Sequence, residues 1–248
     1  MSFLILILVM LVLILGAVSG AILPGMRGRA GGNRVRRAAD RWLPPEYYLQ
    51  LHDVTLPTKD GRTTQIDHII LSMYGIFVIE TKNYSGWIFG SKEQRYWTQV
   101  VYQKKNRFLN PLRQNYGHIC ALSEFLDLPL SRFHNIVCFA GSADFKTDIP
   151  DGVFFGKEYV DYILNFKRTI FSKNEVLNIR KQITEGRLAQ GRETDKLHVQ
   201  NVRIGFQDPV CPRCGKTLKL RTARKGPNVG QTFWGCSGFP SCRFTKPK

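Results

Sequence analysis

The chain opens on an uncharged stretch. No Lys, Arg, Asp or Glu occurs between Met1 and Leu23, and Phe3–Leu23 is continuously apolar or small. At about 1.5 Å per residue a helix of that span is roughly 30 Å long, enough to cross a bilayer core. A cleaved signal peptide is the rival reading, because Gly16–Ala21 is rich in small residues. No basic residue precedes the run, however, whereas Arg27, Arg29, Arg34, Arg36 and Arg37 follow it. Arginines beyond a span resist translocation, so the pattern predicts a retained single-pass anchor over residues 3–23. The rest of the chain would then face the cytoplasm, at a bacterial inner membrane. Pro24–Asn33, Gly-rich and basic, reads as a flexible juxtamembrane linker over 24–33 beside anionic headgroups.

Beyond it the pattern alternates between helix and strand periods. Arg34–Leu43 predicts a short helix halted by Pro44-Pro45. Tyr47–Leu56 has strand composition and ends at Pro57. Thr64–Leu71 and Ile76–Thr81 are the next strands, joined across Ser72–Gly75. Gly86–Trp87 and Tyr96–Tyr102 suggest further hairpin material. Asn110-Pro111 opens a helix to about Leu126, since Asn caps and Pro suits the first turn. Asn135–Ala140 and Val153–Phe155 read as short strands and Glu158–Arg168 as a helix. Ser172–Glu175 is a capping box before a last helix toward Gly186. Helix, three antiparallel strands, helix, then a crossover strand is an α/β order. It predicts one domain over residues 34–187, a linker over 188–208 and a small module over 209–248.

Composition changes the picture in one respect. Lys and Arg number 36 against 19 Asp and Glu, a net charge of +17, while 12% of residues are aromatic. That is a folded basic protein, which points to polyanionic partners rather than to a small neutral metabolite.

Candidate chemistry gathers at the end of the central hairpin. If Ser72–Gly75 closes a tight turn, Leu71 faces Ile76, Ile69 faces Val78 and Asp67 faces Glu80, with Lys82 on the same face as Glu80. Carboxylates directly across a strand pair begin only about 5 Å apart and repel. A divalent cation such as Mg²⁺ (or Mn²⁺) is the simplest reason to keep them there. A neighbouring Lys then suits the attacking water and a phosphoryl oxygen.

These residues resemble a known family. Asp67 followed by Glu80-x-Lys82 at the end of an apolar strand is similar to the PD-(D/E)xK nuclease superfamily. Ile66–Ile70, Gly75–Asn83, Gly86, Trp97 and Asn110-Pro111-Leu112-x-Gln114 look more closely like the NERD (nuclease-related) domain. The resemblance covers roughly Gly31 to Ala140 and implies a restriction-endonuclease-like core. It also implies Asp67 and Glu80 as metal ligands, Lys82 as catalytic lysine and Gln114 as an accessory site residue. One departure is visible: Gly32 stands where the family's first helix carries a Glu that contributes to the site. By the residues alone, His68 reads as structural and Cys120 and Cys138 as inert core residues, while His118, one helical turn after Gln114, reads first as a packed or surface histidine and second as a lining residue of the site.

The other four cysteines form Cys211-x-x-Cys214 and Cys236-x₅-Cys242, two pairs at ribbon-like spacing that suit one tetrahedral, structural Zn²⁺. With Phe233–Cys242 they resemble the C-terminal zinc fingers of bacterial type IA topoisomerases, DNA-binding appendages in that family. From Pro209 onward there are nine Lys or Arg and no acid. Arg213, Lys216, Lys219, Arg221, Arg224, Lys225 and Arg243 are the expected phosphate contacts. Trp234 and Phe239 serve equally well as stacking groups or as the ribbon's own core. Together these features lead to a membrane-anchored, metal-dependent deoxyribonuclease whose zinc ribbon binds DNA. The alternative is a non-catalytic tethered DNA-binding protein on a degenerate nuclease fold.

Overall fold

The structure, a computed structural model, describes residues 24–59, 61–191, 193, 194, 196, 199, 211, 213, 214, 218–223, 225, 226 and 228–247. The expected anchor at 3–23, most of the expected linker 188–208, and Lys216 and Arg224 lie outside the described residues. Among the described residues no helix is long and apolar enough to cross a membrane. The chain divides into two compact units, Met1–Thr194 and Asp195–Lys248.

A five-stranded sheet organises the first unit, in the order β1 (Tyr48–Pro57), β2 (Thr63–Ser72), β3 (Gly75–Lys82), β7 (Phe133–Phe139), β9 (Val153–Phe155). β1, β2 and β3 are antiparallel, whereas β7 and β9 run parallel to β3. Alternating apolar positions coat both faces. Helices α2 (Pro111–Leu126) and α4 (Lys173–Gly186) cover one face, where Ile119, Leu122, Val176, Ile179 and Ile183 meet Ile69, Leu71, Ile76 and Val78. Helices α1 (Pro24–Trp42) and α3 (Glu158–Leu164) cover the other, where Val35, Ala39, Tyr159 and Ile163 meet Ile70, Phe77, Ile79 and Ile136. Because both faces are buried, β3 reads as an almost unbroken hydrophobic run, the pattern of a strand inside a three-layer α/β fold.

Two expectations need correction. Residues 24–33 are helical, not a flexible linker: α1 starts at Pro24. One of its glycines, Gly31, serves close approach. A Cβ at Gly31 would lie 2.6 Å from that of Asn83, so only glycine lets the helix settle on the end of β3. The helix expected over Glu158–Arg168 stops at Leu164. There Phe166 leaves the helical path to pack against His134, Tyr162 and Phe77, at ring separations of 4.2, 5.1 and 5.2 Å.

A second sheet stands beside the first, in the order β6 (Lys104–Leu109), β5 (Tyr96–Val101), β4 (Gly86–Phe89), β8 (Ala143–Phe145). Its inner face buries Ile88 and Trp97 against Phe139, Val137 and Leu112. Asn110 fastens this sheet to α2. Its Oδ1 accepts from the Leu112 amide at 2.9 Å, and its Nδ2 donates to the carbonyls of Ser91, Lys92 and Gln94. In the second unit, β10 (Leu218–Thr222), β11 (Thr232–Cys236) and β12 (Thr245–Pro247) form an antiparallel three-stranded ribbon.

Asn110→Ala removes a helix cap and the bonds its amide makes to three part-buried carbonyls. The expected loss is about 2–4 kcal/mol of stability, read from urea unfolding at unchanged slope.

Candidate functional site

The turn between β2 and β3 fixes the site. Its register pairs Leu71 with Ile76, Ile69 with Val78 and His68 with Ile79. One step further along the same register, Asp67 stands opposite Glu80. Apolar pairs thus carry the hairpin through the core, and the first charged pair arrives where the core ends. Glu80 is 4% exposed, and its carboxylate sits among polar groups supplied by β3 and α2. Lys82 Nζ donates to Glu80 Oε1 at 2.6 Å and to Gln114 Oε1 at 3.1 Å. Gln114 Nε2 completes the triangle by donating to Glu80 Oε1 at 2.8 Å. Across the hairpin, Asp67 Oδ2 accepts from the Thr81 amide at 2.8 Å.

His118, for which a packed or surface role was the first expectation and lining the site the second, stands beside Glu80. One turn beyond Gln114 on α2, its Nε2 lies 3.5 Å from Glu80 Oε2 and is buried without a hydrogen-bond partner. Nδ1 pairs with Thr64 Oγ1 at 2.6 Å, which fixes the ring. The i, i+4 spacing from Gln114 was the available signal.

Electrostatics set the two carboxyls apart. Burial raises Asp67 and the Glu80 charge raises it further, to about 7, against the opposing pull of the Thr81 amide and Lys82. Burial would raise Glu80 as well, but Lys82 and His118 outweigh it and hold Glu80 below its ordinary value. Burial would lower Lys82, yet the Glu80 carboxylate beside it keeps the ammonium charged. The donor set fits a hard divalent cation. Asp67 Oδ1 and Glu80 Oε2 are carboxylate oxygens outside the Lys82–Gln114 triangle, and a cation held by both would offset the repulsion that raises Asp67.

His68 lies on the opposite face. Its Nδ1 is 2.7 Å from His52 Nδ1, and burial together with His52 lowers its pKa to about 3, so the ring is neutral. A Cβ at Gly32 would lie 3.7 Å from His68 Nε2. Position 32 therefore neighbours this histidine, whereas the contacts to Glu80 come from β3 and α2.

In the second unit the Sγ atoms of Cys211, Cys214, Cys236 and Cys242 all lie within 4.8 Å of one another. Cys211 to Cys242 is 3.7 Å and Cys214 to Cys236 is 3.3 Å. Four thiolates about 2.3 Å from a tetrahedral Zn²⁺ are spaced about 3.8 Å apart, so the cluster fits structural zinc with no open position. The Gly238 amide donates to Cys236 Sγ at 3.2 Å, a contact that steadies a thiolate. Arg213, Lys219, Arg221, Lys225 and Arg243 are exposed. Trp234 packs on the cysteine cluster as core, while Phe239 is 59% exposed with the Arg221 guanidinium over its ring.

The comparisons with known proteins divide along the same lines. Residues 27–140 match the nuclease-related domain, NERD. Residues 208–248 match the topoisomerase DNA binding C4 zinc finger. An uncharacterized protein of Bacillus anthracis is 44% identical over 125 residues, which is 50% of this chain and 58% of that protein. DNA topoisomerase 1 of Methanocaldococcus jannaschii is 35% identical over 49 residues, 20% of this chain and 6% of the topoisomerase. The chain thus spans less than two thirds of either relative. No solved structure matches.

Two measurements follow. Asp67 has a folded-state pKa above its unfolded value, so its ionisation costs stability as pH rises from about 4 through about 7. In magnesium-free buffer, wild type should lose melting temperature toward pH 8 relative to Asp67→Asn, and added Mg²⁺ should restore more at pH 8 than at pH 6. Native mass spectrometry should find one Zn²⁺ per chain. Cys242→Ser should lose it and open residues 211–247 to proteolysis, while residues 24–194 remain resistant.

Proposed function

We propose that this chain, a nuclease-related domain joined to a DNA-binding zinc ribbon, is a metal-dependent nuclease that hydrolyses DNA phosphodiester bonds. The observation that carries the proposal is the triangle of Glu80, Lys82 and Gln114 with Asp67 across the hairpin. Asp67 and Glu80 would hold Mg²⁺ or Mn²⁺, which when bound acidifies water and offsets charge on the phosphoryl group. Lys82, charged at neutral pH, is suited to hold a phosphate oxygen and not to take up a proton. Gln114 keeps the Lys82 ammonium and the Glu80 carboxylate in fixed relation by bonding both. The ribbon's exposed cations would raise the local concentration of DNA. Residues 3–23 would tether the chain to a membrane with these units on the cytoplasmic side, a reading supported by the arginines that follow the apolar run.

A second reading has one observation in its favour. Gly32 replaces the Glu that the NERD resemblance leads one to expect, which suits a DNA-binding protein on a retired nuclease fold. The neighbourhood of position 32 supports the catalytic reading instead, because that position adjoins His68 while α2 furnishes Gln114 and His118 to Glu80.

Incubation of residues 24–248 with supercoiled and single-stranded DNA, with and without Mg²⁺, separates the two. Magnesium-dependent cleavage should fall by at least about 100-fold in Glu80→Ala and in Lys82→Ala, with DNA binding retained. Binding without cleavage by the wild type would establish the second reading.

A further inference from the structure

The second sheet has an outer face that its fold does not use. Along β4 and β5 the inward residues Ile88 and Trp97 are fully buried, so strand alternation turns Trp87, Phe89 and Tyr96 outward. Outward positions of a one-sided sheet are ordinarily polar. Here Trp87 is 52% exposed, and Phe89 and Tyr96 are exposed beside it. The register sets Lys105, Val100 and Trp87 in one row across three strands, and Arg107, Thr98 and Phe89 in the next. Trp87 and Phe89 stand about 7 Å apart along β4.

Cations frame these rings. Lys146 Nζ lies 5.4 Å from the centre of the Trp87 ring. The guanidiniums of Arg107 and Arg95 lie 5.0 and 5.4 Å from that of Tyr96. Asp144, the acid beside Trp87, is already paired with Lys146 at 2.5 Å. At the tip of the β5–β6 hairpin, Tyr102 is 97% exposed at φ +54°, a left-handed conformation that a bulky residue rarely holds.

We propose that this outer face binds an unpaired strand of DNA, with bases stacked on Trp87, Phe89 and Tyr96 and phosphates met by Lys105 and Arg107. The ligand class follows from the pairing of groups. Flat apolar rings on an open sheet have a partner in nucleic acid only where base faces are free, and an interleaved set of Lys and Arg selects a polyanion. Duplex DNA offers its phosphates but keeps its base faces covered. The platform is firmly joined to the candidate site, since Asn110 ties the β4–β5 connection to the first turn of α2, which carries Gln114. The inference rests on the nucleic-acid reading of the chain, though not on its being a nuclease.

The test uses the full chain with Glu80→Ala in magnesium-free buffer, which leaves the zinc ribbon loaded. Fluorescence anisotropy is measured with a short oligo-dT strand and with a short duplex. Trp87→Ala and Tyr96→Ala should each weaken oligo-dT binding by about 5- to 100-fold, with duplex affinity changed less than about twofold and the salt slope unaltered. Trp87→Phe should keep most of the affinity, and Lys105→Ala should reduce the single-strand salt slope by about 0.7. Unchanged oligo-dT affinity in the Trp87→Ala/Tyr96→Ala double variant would overturn the proposal, as would an equal loss for both probes. Cutting plays no part in this measurement. A wild type that fails to cleave therefore leaves it standing, and a failed platform leaves the cleavage result standing.

Discussion

A carboxylate that leaves water must have its charge answered at once, and Glu80 is such a group. The β2–β3 hairpin carries it to the edge of a core built from Ile69, Leu71, Ile76 and Val78, with Asp67 opposite. Lys82 and Gln114 answer one oxygen of Glu80, and His118 stands off the other. This need fixes much else. Helix α2 must begin near the end of β3 for Gln114 to arrive. Asn115, one residue on, locks that position by donating to the carbonyls of Val78 and Ile136. A site and a fold held by the same bonds cannot easily drift apart.

The unequal protonation of the two carboxyls is the chemical product of this arrangement. Glu80 keeps its charge through Lys82, and the cost falls on Asp67, which has no cation bonded to it and is lifted to about 7. A divalent ion held by the pair would offset the repulsion that lifts Asp67. The ribbon solves a different problem: too few residues for a core, with Leu218 and Trp234 packed around four sulfurs.

Legibility in the sequence tracked the range of the interactions. The hairpin register was readable because a four-residue turn and strict alternation leave one pairing that buries the apolar face. Likewise, α2 announced itself through Asn110-Pro111, and the ribbon through cysteine spacing. His118 was only half readable: its spacing from Gln114 put it on the same helix face, but its partners Thr64 and Glu80 lie far away in the chain. The glycines of α1 suggested flexibility, because Asn83, which Gly31 approaches, lies far along the chain just past the end of β3. The second sheet was legible only in part, as hairpin material at Gly86–Trp87 and Tyr96–Tyr102, while β6 and β8 were not expected. Its short strands carry aromatic residues on both faces, so alternation separates no inside from outside.

The strand β6 ends its sheet, and its backbone faces outward with Lys104, Lys105 and Arg107 along it. An open edge can recruit the same edge of another copy, and the like charges on this one oppose such pairing. A polyanion lying across the edge would cancel that opposition. Edge pairing between copies would therefore be opposed in the free protein and less opposed wherever a polyanion covers these charges.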